Sequence, residues 1–142
     1  LHVTYTCLPG KAEEFVTDAK AFAEALCAEF ALVEKGAKIE IAEVDAPATV
    51  LGEETQRNLL LALISVPSGV LAMSAAMPGL VETSTNLASV KMTEPGVIRI
   101  GSSQRSCVTA ARRAAAAKME ACFVLAGAIV KHEGEYPGWA GY

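Results

Sequence analysis

Residues 2–8 alternate along the chain, with Val3, Tyr5 and Cys7 separated by Thr4 and Thr6. That period of two predicts a strand. Pro9-Gly10 breaks it, and the period then lengthens to that of a helix. Phe15, Ala19, Phe22, Leu26 and Phe30 recur on one stripe, while Glu13, Glu14, Asp18, Lys20 and Glu24 fall mostly off it. This predicts a helix over 11–32, with the two glutamates near its start complementing the helix dipole and Gly36 stopping it. Alternation returns over 38–44, where Ile39 and Ile41 are set against Lys38, Glu40 and Glu43, predicting a second strand.

Asp45-Ala46-Pro47 reads as loop, and a second helix is predicted over 53–66, ended by Pro67, Ser68 and Gly69. Its run Leu59, Leu60, Leu61, Leu63, Ile64 is too wide for one buried stripe. Such a helix is expected to be covered on more than one side, by a partner domain or a second subunit. A third strand is predicted over 70–74 and, after Pro78-Gly79, a long extended stretch rich in Thr and Val over 80–92. Glu94-Pro95-Gly96 reads as a hairpin connection to a fifth strand over 97–106. An alanine-dense helix follows over 108–126, with Val108, Ala111, Ala115, Met119, Cys122 and Ala126 on one face and Phe123 beside them. Gly127 ends it, and 129–133 reads as a last strand. The order predicts an α+β fold: an antiparallel or mixed sheet with helices packed on one face, close to a ferredoxin-like arrangement with an inserted helix.

Composition narrows the function. At 142 residues, 52% hydrophobic and 20% charged, the chain has material for one compact domain and a core. A net charge of −4 counts against a nucleic-acid partner, which a basic surface would bind. The longest uncharged apolar run, 121–130, is shorter than the ~20 residues that span a bilayer. No basic-then-apolar leader opens the chain, and a first residue that is leucine suits a trimmed or excised piece.

Chemistry-bearing motifs are sparse. There is no H-E-x-x-H, no G-x-S-x-G and no G-x-x-x-x-G-K. Cys7, Cys27, Cys107 and Cys122 form no C-x-x-C pair and read as small hydrophobes in a reducing compartment. His2 and His132 each stand alone, and the acid pairs Glu13-Glu14 and Glu53-Glu54 lie at helix starts, where solvated carboxylates complement the dipole. The fifth strand is the informative segment. Counting by two puts Ile98 and Ile100 on one face, toward the helices, and Arg99, Gly101, Ser103 and Arg105 on the other. Small neighbours leave room for a ligand, and arginine holds a carboxylate through two parallel hydrogen bonds. Arg105 is therefore a candidate anchor for a substrate carboxylate or an interface acid; the plainer alternative is a solvated arginine or a structural ion pair. Asn86 on the neighbouring strand is a weaker polar candidate, since mid-strand asparagine is unfavoured unless its amide finds a partner.

Five stretches taken together carry a resemblance: ALVEKGAKIEI (31–41), TQRNLLLALISVPSGVLAMS (55–74), GLVETSTNLASV (79–90), IGSSQRSC (100–107) and LAGAIVKHEGEYPGW (125–139). They resemble, in order, the lid domain of the aminoacyl-histidine (Xaa-His) dipeptidases. These are two-domain, two-zinc hydrolases related to carboxypeptidase G and succinyl-diaminopimelate desuccinylase. The resemblance implies that residues 1–135 are the second part of a lid and dimerisation domain, and that 136–142 lead back toward a catalytic domain. The family's zinc ligands and glutamate general base lie in that catalytic domain, and its Gly-Gly-His-Ser-Gly and Asn-Ala-Ile-Pro lid segments precede the matched region; none occurs here.

By this resemblance the parent enzyme carries zinc while this segment binds none, and the segment alone is inactive. The expected partners are a second copy, through the lid, and a dipeptide substrate, in the cytoplasm. Arg105 matches the family arginine that contacts the substrate's terminal carboxylate, although Gly101, Ser102, Ser103 and Gln104 replace a more apolar strand. Two other readings remain open from the sequence: a stand-alone ferredoxin-like ligand-sensing or pairing module without catalysis, and a purely structural dimer domain with Arg105 unoccupied.

Overall fold

The computed structural model describes residues 2–134. The elements are a 3₁₀ turn at Pro9–Lys11, α1 (Ala12–Phe30), α2 (Glu53–Ser65), β1 (Gly69–Met73), β2 (Val81–Glu94), β3 (Val97–Ser106) and α3 (Thr109–Leu125). The chain divides into two compact units, Leu1–Val50 and Leu51–Tyr142.

The first unit is built on α1. Glu13 and Glu14 occupy its first turn, as expected, and Lys11 reaches back to Glu14 at 2.5 Å. The expected apolar stripe is mostly open: Phe15, Phe22 and Phe30 are exposed and Ala19 and Leu26 half-buried, while the buried residue of the helix, Ala23, lies beside the stripe. Phe15 meets the ring of Tyr5 at 5.8 Å between centroids. Residues 2–8 and 38–44 were expected as strands, and this expectation is corrected, because neither has a ladder partner among the described residues. Alternation prepares a segment for a sheet, but a strand exists only where a neighbour satisfies its N–H and C=O groups. With no sheet over it, the α1 stripe stays uncovered within this unit.

The second unit holds the sheet, of order β1-β2-β3 and antiparallel throughout. The hairpin between β2 and β3 turns at Pro95-Gly96, with Glu94 opposite Val97. Gly96 has φ +74, so proline sets the first central residue and glycine takes the positive φ that the second one needs. The elements are those of an α+β fold consistent with a ferredoxin-like arrangement, as expected, without a parallel pair.

The core lies between the sheet and the two helices of this unit. Ala62 and Val66, at the C-terminal end of α2, pack with Met119 and Phe123 of α3, and Leu87, Ile100, Cys122, Ala126 and Val130 close around them. The predicted face of the alanine-rich helix is the buried one, at Ala115, Met119 and Phe123. On α2, Leu60, Leu61 and Ile64 are exposed, so within this unit the leucine run is covered on one side. Residues 129–133 form no strand, a second correction. After the α3 terminus, where Ala128 N–H bonds the Phe123 carbonyl, the chain runs back along the helix. Val130 reaches the core there and His132 bonds Glu120 at 3.0 Å, so α3 rather than a sheet edge takes up the segment. The expected segment 136–142, with its Tyr136-Pro137-Gly138-Trp139 run, lies outside the described residues.

Candidate functional site

The register of β2 against β3 sorts the side chains of the sheet. Thr83 pairs with Ser106, Ser84 with Arg105, Thr85 with Gln104, Asn86 with Ser103 and Leu87 with Ser102. A bulge after Leu87 resets the ladder, and Ser89 then faces Gly101. Leu87 and Ile100 contact the helix core, so they mark one face, and alternation puts Thr83, Thr85, Ser102, Gln104 and Ser106 on it as well. The other face carries Ser84, Asn86, Gly101, Ser103, Arg99 and Arg105, as the sequence implied.

The helix face is not uniformly apolar. Toward the far end of β3 the isoleucines give way to a polar network that is buried at Thr83, Thr85 and Ser106. The Thr83 and Ser106 hydroxyls lie 2.9 Å apart, and Val108 N–H donates to Ser106 Oγ at 3.0 Å. Gln104 donates to Thr85 Oγ1 and to Ser102 Oγ, at 3.4 and 3.2 Å. Sequence reasoning missed this network. The signal available for it was the block Ser102 to Ser106, whose alternate positions are all polar.

The two arginines of the open face have different surroundings. Arg99 is tied to Glu94 at 2.9 Å, both exposed, across the hairpin end. Arg105 makes no side-chain hydrogen bond or ion pair among the described residues, and the same holds for Ser84, Asn86 and Ser103. Arg105 lies directly opposite Ser84, with Ser103 two residues before it on its own strand. Asn86 lies opposite Ser103 and is therefore a diagonal neighbour of Arg105, about 7–8 Å away as such pairs are.

The structure thus brings both candidate residues onto one patch of one face. At Gly101 an added Cβ would come within 2.8 Å of Ser89 Oγ, so the serine side chain fills the space beside the glycine. A free guanidinium with two hydroxyls and a carboxamide around it has the donors to take a carboxylate in bidentate geometry and hold a second polar group beside it.

The other titratable side chains do not converge. Among the described residues no three His, Cys, Asp or Glu side chains are grouped to hold a metal ion. His132 is engaged by Glu120, and the four cysteines are free thiols, none disulfide-bonded. No helix among the described residues is long and apolar enough to cross a membrane.

Comparison with known proteins bears on what such a patch serves. No family model matches the sequence. The cytosol non-specific dipeptidase of Escherichia coli (strain K12) is 30% identical over 118 residues, which cover 83% of this chain and 24% of that protein. In structure, the chain is similar to the aminoacylhistidine dipeptidase of Vibrio alginolyticus, with a TM-score of 0.86, 28% identity and coverage of 93% of this chain and 27% of that one. The resemblance read from the five stretches is thereby met in sequence and in fold. The chain spans about a quarter of the length of these relatives.

Proposed function

We propose that this chain is the second part of the lid and dimerisation domain of a zinc-dependent dipeptidase acting on Xaa-His dipeptides, and that Arg105 receives the substrate's terminal carboxylate. The observation that carries the reading is the Arg105 guanidinium, without a side-chain partner among the described residues, on the open sheet face of a chain similar to dipeptidases over most of its length. An ion-paired arginine would have less capacity left for a ligand, and no described residue takes up the N–H donors of this one.

The part these residues play is orientation. A carboxylate held by two parallel hydrogen bonds fixes the far end of a dipeptide, and a lid that closes over it excludes water from the reacting bond. The metals of the parent enzyme belong to other segments of the polypeptide, and no bond-breaking step falls to the residues described here. The exposed Leu60, Leu61 and Ile64 on α2 are the surface proposed for contact with a second copy. The word cytosol in the name of the Escherichia coli relative supports a cytoplasmic location.

The test is Arg105→Ala in the full-length polypeptide that carries this chain, assayed for dipeptide hydrolysis. Loss of a charge-assisted hydrogen bond predicts a fall in kcat/KM equivalent to about 2–3 kcal/mol, or roughly 30- to 150-fold. Unchanged turnover would reject a substrate role for Arg105. Tight, saturable dipeptide binding by this chain alone, measured by calorimetry, would instead favour a self-sufficient sensing module.

A further inference from the structure

Resting on the reading of Arg105 as the carboxylate anchor, we propose that Asn86 is a specificity-determining residue that reads the side chain of the substrate's C-terminal residue. Three observations lead there. Asn86 stands in the interior of β2, where asparagine is disfavoured, and its amide has no partner among the described residues. The ladder puts it on the same face as Arg105 as a diagonal neighbour. The side chains around the pair, Ser84 and Ser103, are short, and Gly101 has none.

Geometry then assigns the ligand group. In a peptide the C-terminal side chain branches from the carbon that bears the terminal carboxylate. With that carboxylate on Arg105, the polar atoms of the side chain lie a few ångströms along the sheet, where the neighbouring strand offers Asn86. A carboxamide both donates and accepts, and a neutral imidazole carries one donor and one acceptor nitrogen. Asn86 is thus complementary to a histidine side chain in either tautomer. An aliphatic side chain at the same place leaves the amide without a partner, and that difference is the source of discrimination.

The experiment measures kcat/KM of the full-length polypeptide on β-alanyl-histidine and β-alanyl-alanine, for wild type, Asn86→Ala, Asn86→Thr and Arg105→Ala. Threonine favours strands, so Asn86→Thr keeps the test valid if the alanine variant fails to fold. Removing the amide is expected to cut the histidine-to-alanine preference by about tenfold, the loss falling on the histidine dipeptide alone and mainly on KM. Arg105→Ala is expected to lower both substrates by a similar factor. An unchanged preference in the Asn86 variants, or an equal loss on both substrates, overturns the role of Asn86 while leaving Arg105 in place. If Arg105→Ala leaves both substrates unaffected, the reading beneath it falls, and this inference with it.

Discussion

Ser106 offers a sharp test of how the sheet is joined to α3. Its Oγ accepts from Val108 N–H at the entry to the helix, so its own hydrogen is free to go to Thr83 Oγ1 at 2.9 Å. Thr83 in turn donates to Glu82 Oε1 at 3.3 Å. The donors therefore run in one direction, from the backbone through two hydroxyls to a carboxylate. Thr83 and Ser106 are 3% and 8% exposed, so water does not readily replace a lost partner. Ser106→Ala removes two hydrogen bonds and orphans the Thr83 oxygen, a predicted cost of about 2 kcal/mol at roughly 1 kcal/mol per bond. Thr83→Val keeps the shape of the side chain and removes the bonds to Ser106 and to Glu82, the second long and only part-buried, for about 1–2 kcal/mol. Because the two share a bond, the double variant should lose less than the sum by about 1 kcal/mol. Urea unfolding followed by circular dichroism gives the three energies, and exchange of the Val108 amide should accelerate in Ser106→Ala but not in Thr83→Val. A Ser106→Ala protein within about 0.5 kcal/mol of wild type, or strictly additive losses, would refute the network.

Two further outcomes follow from packing and from the hairpin. Phe123→Ala, at the centre of the cluster with Ala62, Val66 and Met119, should cost about 3 kcal/mol in the same urea experiment, while the adjacent, exposed Val124→Ala should stay within about 0.5 kcal/mol. Gly96→Ala should destabilise the β2–β3 hairpin by about 1 kcal/mol; nothing lies within 4 Å of the added Cβ, so the whole cost is the positive φ.

Local order was readable in the chain wherever a residue's own neighbours decide it. The three helices fall within about two residues of their predicted bounds, because 3.6-residue periodicity, Pro67 and Gly127 act over a few positions. The β2–β3 hairpin follows from Pro95-Gly96 and from alternation on both sides. Alternation alone also put Arg105 on the face opposite Ile98 and Ile100. What it could not give was the difference between Arg99 and Arg105, since the Glu94 carboxylate that takes up Arg99 arrives only when the hairpin closes.

The strands expected at 2–8, 38–44 and 129–133 show the limit from the other side. Their patterns suit a sheet, yet strand pairing is a contact between distant segments, and a period of two does not name the partner. Only the folded chain decided that 129–133 returns along α3, that Thr83 and Ser106 share a buried hydrogen bond, and that Asn86 and Arg105 are neighbours. Each of these depends on register across elements 12 to 23 residues apart, which no local pattern encodes.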